Sequence, residues 1–483
     1  MGNESERAAL IVGGLVILGA LAGMAAFLNA GTYDVAISMV VLAVIVVVSV
    51  PVFRRLAVSD ADPTLVWILL GALVAKVLFS LARYWMVNKL YGGGGDSNRY
   101  DADGWAFAQA VRGGQFVPNV VVTETTEGGT GFVIRLTGYI YAIVGRSKFS
   151  GFFIYSWLAF WGCVLFWRGA KRAFPEMDHK RYLYLVLFWP SLLFWPSSIG
   201  KDAVMLFLLG VASYGACALL APRPRIWGVL PFAAGVGGML LIRTHIGLMA
   251  VLAVTVATTF AFIGGTKTEN ASSRGRVVRI AALVAMVVLA SVAATQTTRF
   301  FSEEAGQATS TTGALELTVD RTQQGGSEFE PLVVSNPAQV PAATVSVLFR
   351  PFLWEANSAG TLISAVEGAI IGLLMLLSWK RLRRWPGSAW RRPVLIYGFT
   401  YTLMFVVAFS SIGNAGILAR QRVQMLPLLF LALAVPTTRW WREQRDDRPS
   451  DNQAVGDQVG GYRDTASRDD DAIRSAADPS RIG

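Results

Sequence analysis

Apolar runs of roughly 20 residues, the length that crosses a hydrocarbon core, recur along most of this sequence. In lipid each run must satisfy its own backbone polar groups, which leaves only helices or a closed barrel. The runs are continuous rather than alternating, so the expectation is helical. Run length places about twelve spans, near 8–30, 34–53, 65–87, 150–168, 182–196, 202–220, 226–242, 246–264, 277–294, 359–378, 393–411 and 423–438. The shortest are 182–196 and 423–438. The predicted fold class is therefore all-α, a polytopic transmembrane helical bundle. Only 16% of residues are charged, against about 25% in soluble domains, and the mean hydropathy is +0.47. A soluble fold is excluded on these grounds.

The net charge of +11 would raise the question of nucleic acid in a soluble chain. Here Lys and Arg collect in short loops, the pattern that marks the cytoplasmic side of a membrane protein. One set of loops holds Arg54 and Arg55; Arg168, Lys171, Arg172, Lys180 and Arg181; Arg223 and Arg225; Lys267, Arg274, Arg276 and Arg279; and Lys380 to Arg392. Their alternation predicts both termini in the cytoplasm and no nucleic-acid partner. The first run follows Glu4, Glu6 and Arg7 and lacks a basic leader, so it reads as an uncleaved span. Residues 1–445 form the expected membrane domain. Residues 446–483 are polar and read as a disordered cytoplasmic tail, behind an interfacial anchor at Arg439, Trp440, Trp441 and Arg442. Cys163 and Cys217 lie within apolar runs and read as core residues.

Two long loops, about 88–149 and 295–358, are expected to face outward with interfacial helices. The first begins with glycines 92–95, then carries Asp96, Asp101 and Asp103, a helical pattern from Trp105 to Arg112 and an apolar segment from Phe132 to Val144. That segment is too short to cross the bilayer. Other polar residues stand at predicted outer boundaries: Lys201 and Asp202; Arg243 and His245; Arg350, Trp354, Glu355 and Asn357; Asn414, Arg420 and Arg422. Lys76 and Glu367 fall inside spans, where an isolated charge costs about 2.5–3.5 kcal/mol on insertion scales. They are expected to face the bundle interior and to pair.

Cations beside carboxylates at headgroup depth suit a lipid-linked phosphate or diphosphate, because the planar guanidinium matches phosphate oxygens. A carboxylate there can take a proton from a hydroxyl, and fixed positive charge stabilises a phosphate leaving group. Each element also has a plainer reading. Outer Asp and Arg residues are often solvated or salt-bridged, Ser197, Ser198 and Asp202 can cap the sixth helix, and Arg420 and Arg422 can anchor at headgroups. Asp101 and Asp103 form a short D-x-D pair that admits a divalent cation. With His 2 in the whole chain, a histidine metal site is not expected.

The stretch Gly95-Asp96-Ser-Asn-Arg-Tyr100, the helical Ala106 to Arg112, Gly113-Gly114 and the apolar Phe132 to Val144 resemble the first outer loop of GT-C-class glycosyltransferases. In that class the loop follows the first span, whereas here it follows the third. The resemblance implies a polyprenyl-phosphate sugar donor and an acidic base, a role falling on Asp96 or Asp101. Phe194 to Asp202, Arg243-Thr-His245, Phe349 to Glu355 and Asn414 to Arg422 resemble segments of the polytopic polymerases of bacterial exopolysaccharide and O-antigen assembly. That likeness implies outer arginines holding a lipid diphosphate.

The leading expectation is a cell-envelope glycan-assembly enzyme. It would transfer a sugar or lipid-linked oligosaccharide from a polyprenyl (di)phosphate to a hydroxyl on a glycan acceptor. Asp96 and Asp101 are the catalytic candidates. Asp103, Lys201, Arg243, His245, Arg350, Glu355, Asn414, Arg420 and Arg422 are the candidates for substrate binding. The competing expectations are a transporter or flippase for a lipid-linked glycan or anionic solute, favoured by broken helices deep in the membrane, and a noncatalytic scaffold.

Overall fold

The computed structural model describes residues 33–90, 92, 95–116, 128–263, 328–334 and 336–437, with isolated positions 13, 14, 19 and 280. Apart from those isolated positions, the expected spans at 8–30 and 277–294 lie outside the described residues, as do the interfacial anchor and the tail. The chain divides into a unit over Met1–Val435 and another over Pro436–Gly483; of the latter only Pro436 and Thr437 are described. Among the described residues the structure is all-helical, 81% helix with no strands, apart from a single bridge between Glu328 and Asn414.

The helices are α1 (Tyr33–Asp60), α2 (Thr64–Trp85, continued by a π-turn over Met86–Leu90), α3 (Asp96–Arg112), α4 (Gly128–Val144), α5 (Lys148–Ala173), α6 (His179–Phe188), α7 (Pro190–Phe194), α8 (Lys201–Leu220), α9 (Val229–Leu240) and α10 (Thr244–Ile263). They continue as α11 (Val340–Phe349), α12 (Ala359–Leu377), α13 (Trp379–Leu382), α14 (Trp385–Arg391), α15 (Pro393–Phe409), α16 (Ala415–Arg422) and α17 (Leu426–Leu433). Six helices among the described residues are long and apolar enough to cross a membrane: α1, α2 with its π-turn, α5, α8, α10 and α12. The pairs α14–α15 and α16–α17 bend by 118° and 62°, and counting each as one span gives 8. The chain is thus a multi-helix membrane protein.

Burial grades these helices from centre to rim. In α8, 78% of the apolar window is buried; in α1 and α12 the figures are 22% and 28%. Val47 on α1 and Ile363 and Leu377 on α12 are exposed. In a bilayer such faces meet lipid without penalty. At the centre, α5 and α8 approach through small residues. A Cβ on Gly162 would stand 2.6 Å from the Leu206 carbonyl, and one on Gly210 would strike Gly162. Gly151 lies on Ile199 and Gly169 on Tyr214 and Cys217, so the two helices run parallel.

Parallel neighbours require the chain between them to return. It does so through α6 and α7, which correspond to the shortest expected span and are broken at Trp189–Pro190. The break leaves backbone groups unbonded inside the apolar bundle, and the two ionisable residues expected to pair bond to this segment instead. Glu367 accepts from the Ser191 N–H at 3.0 Å. Lys76 Nζ donates to the Leu192 carbonyl at 2.6 Å and lies 3.4 Å from Ser197 Oγ. A carboxylate at the start of a helical turn and an ammonium at its end also suit the direction of the backbone dipoles. Their placement is explained by the break rather than by their mutual attraction.

Ion pairs gather at the end of the bundle where α5 and α8 finish. Arg168 and Lys171 both meet Asp60, at 2.8 and 3.0 Å. Lys180 meets Asp62 at 3.1 Å, Arg381 meets Asp178 at 2.8 Å and Arg392 meets Glu176. Asp178 also caps α6 by accepting from the Arg181 N–H. Among the described residues, the basic segments around 168–181 and 381–392, assigned to one side in the sequence, thus share one end of the fold.

Candidate functional site at the start of the central helices

At the other end, where α3, α8 and α10 begin, charges from distant parts of the chain meet. Asp202 stands in the first turn of α8 and is 4% exposed. It does not cap the helix by a side-chain bond; Gly200 is the cap position, and Ser197 donates to the Leu193 carbonyl instead. The Asp202 carboxylate faces two arginines. Arg420 donates through Nε to Oδ2, and Arg243 Nη2 lies 3.4 Å from Oδ1. Arg243 also donates through Nη1 to Gln421 Oε1 at 2.6 Å. Arg420 extends further, its Nη1 and Nη2 both reaching Asp96 Oδ2, at 3.5 and 3.4 Å.

The local folding that brings these groups together is legible. Asn414 accepts from the Ile417 N–H and starts α16, which places Arg420 and Arg422 in its last turn, where cations suit the helix dipole. Asp96 opens α3 behind Gly95 at φ +125°, a backbone region that favours glycine. One turn along the same face, Tyr100 is buried beside this cluster. Burial, then the negative charge of Asp96, push its hydroxyl up to about 12, and it remains a neutral group. Arg243 lies in the turn between α9 and α10, with its side chain 16% exposed.

The remaining sequence candidates lie elsewhere. Asp101 turns from Asp96 towards α4 and α5: Tyr141 donates to its Oδ1 at 2.7 Å and Arg146 to its Oδ2 at 2.9 Å. Asp103 pairs with Arg99 at 3.5 Å. The D-x-D pair therefore does not converge. Among the described residues no group of three or more His, Cys, Asp and Glu is placed to hold a metal ion. Arg350 meets Glu355 at 3.0 Å, donates to the Glu330 carbonyl at 2.8 Å and stacks on Phe329. Arg422 is buried and donates to the carbonyls of Leu348 and Arg350, both at 2.7 Å, closing the end of α11. His245 packs against Phe409. Lys201 is the first residue of α8, adjacent in sequence to Asp202.

The cluster thus unites three of the sequence candidates, Asp96, Arg243 and Arg420, with Asp202 and Gln421, which the sequence reading did not place among the binding residues. The helical phase of α3 could have separated its acids. Tyr100 is four residues from Asp96 and shares its face, whereas Asp101 is five away, roughly 140° around the helix. No family model, no curated protein and no solved structure matches the chain.

Proposed function

We propose that this protein is a membrane enzyme of cell-envelope glycan assembly, acting on a sugar or oligosaccharide carried by a polyprenyl phosphate or diphosphate. The observation that carries the reading is the continuous chain Asp96–Arg420–Asp202–Arg243–Gln421, built from segments far apart in sequence. Two guanidinium groups beside an accessible carboxylate supply what phosphate-leaving transfer needs. The acceptor hydroxyl oxygen attacks the anomeric carbon and its proton passes to Asp96. The bond from that carbon to the phosphate oxygen breaks, its electron pair staying on the phosphate beside Arg420 and Arg243. Asp101 serves as an anchor between α3 and α4, and Asp202 as the buried acid that aims both arginines.

In this reading the bundle has about twelve spans, both termini lie in the cytoplasm and the cluster faces outward. The Lys/Arg-rich end of the fold supports that orientation. The test is transfer in proteoliposomes from a panel of radiolabelled polyprenyl-linked sugars. Wild type should form product, and D96N and R420A should form almost none. Absence of turnover across the panel would overturn the reading.

The second reading, transport of a lipid-linked glycan or anionic solute, is favoured by the breaks at α6–α7 and α16–α17. It requires cations and no base. Under it, D96N retains uptake into vesicles and no glycosidic product appears with any variant.

A further inference from the structure

Arg420 holds its two acids unequally. Its Nε is committed to Asp202, a residue 4% exposed and held from the other side by Arg243. Its outer edge, Nη1 and Nη2, shares one oxygen of Asp96 at 3.5 and 3.4 Å. A guanidinium edge is matched by two oxygens at about 2.7–2.9 Å, so this contact leaves much of its capacity unused. The Asp96 side chain is 59% exposed. Asp96 is the first residue of α3, directly behind Gly95 at φ +125°.

Resting on the enzyme reading above, we propose that the Nη edge of Arg420 is the phosphate position. Asp96 is an internal competitor that occupies it until a phosphate or diphosphate group displaces it. The formal charges of Asp96, Asp202, Arg243 and Arg420 sum to zero, so an incoming phosphate replaces one anion instead of joining a surplus. The displacement changes Asp96 itself. Once released from the guanidinium, its carboxylate oxygens are open to the acceptor hydroxyl. Asp202 has no such freedom, being buried and bound by both arginines.

The experiment uses full-length protein in detergent and two probes, inorganic pyrophosphate and farnesyl diphosphate, with binding followed by calorimetry. The variants are D96N, D96S, R420K and D34N; Asp34, which accepts from Ser147 Oγ at the start of α5, carries the same charge at the same end but lies outside the cluster. D96N and D96S should bind about tenfold tighter than wild type, with lipid-linked sugar transfer lost. D34N should leave affinity unchanged, and R420K should weaken it about tenfold or more. Tightening for farnesyl diphosphate alone assigns a lipid-anchored ligand, and tightening for both probes assigns a free phosphate; either supports the competitor. Unchanged or weaker binding by D96N, equal tightening by D34N, or no binding by any variant overturns it. If wild type transfers sugar but D96N does not bind tighter, the competitor fails and the enzyme reading stands. If D96N binds tighter in a protein that transfers no sugar, the competitor stands and the glycan reading fails.

Discussion

The two ends of the helical unit use the same residue types for different ends. Where α5 and α8 finish, Arg168, Lys171, Lys180, Arg381 and Arg392 each close on a carboxylate of a neighbouring helix end or connection, and Arg381 adds a bond to the Val435 carbonyl at 2.8 Å. Where α3, α8 and α10 begin, one buried acid is shared by two arginines, and one of these reaches out to a solvent-facing carboxylate through a long contact. The first arrangement pairs these cations with carboxylates at the helix ends and connections. The second ends on a long contact to an exposed carboxylate, at 3.4 and 3.5 Å. Charge count alone does not separate them; the exposure and geometry of the last contact do.

The largest expected effect comes from breaking the shared cluster. R420A leaves Asp202 with Arg243 alone, and truncating one partner of a buried charge pair costs about 2–5 kcal/mol. The melting temperature in detergent should therefore drop, and diphosphate affinity should fall about 30-fold because the guanidinium edge that meets the phosphate is gone. R381A attacks the other end. It removes the Asp178 pair and the Val435 bond, so it should cost about 1–3 kcal/mol of stability by thermal unfolding, with anion affinity unchanged. D101N should be milder, about 1 kcal/mol, because its partner Arg146 is half-exposed. It should retain transfer within about threefold, as expected of an anchor rather than a base.

The smallest effect concerns pH. The Tyr100 hydroxyl is pushed from 10.0 to about 12 in the folded protein, so below pH 10 it is neutral in both states. Between those values the unfolded chain loses the proton first, and stability falls as pH rises. Y100F should remove that part of the alkaline slope in unfolding curves, leaving the slope below pH 9 unchanged.

Much of the fold was legible because apolar run length is a local property. The runs at 34–53, 65–87, 150–168, 202–220, 246–264 and 359–378 fall on helices long and apolar enough to cross. The break at Trp189–Pro190 was less legible, since its cause includes the parallel packing of α5 and α8, a contact between distant segments. Lys76 and Glu367 were read as partners because each is costly alone; the structure resolves the cost through separate bonds to the broken segment. In the site, the sequence drew attention to Asp96, Arg243 and Arg420 by their positions at span boundaries. It did not distinguish Asp202 the binder from Asp202 the cap, because both roles place an acid in the first turn of a helix. It grouped Asp101 with Asp96 by proximity along the chain, although helical phase turns them apart.

The most direct measurement is diphosphate binding by two matched variants, R420K and R381K, each keeping its charge and losing its planar fork. R420K should bind farnesyl diphosphate or pyrophosphate about tenfold or more weakly, while R381K should bind like wild type. Equal loss in both, or no loss in R420K, would contradict the placement of phosphate on Arg420.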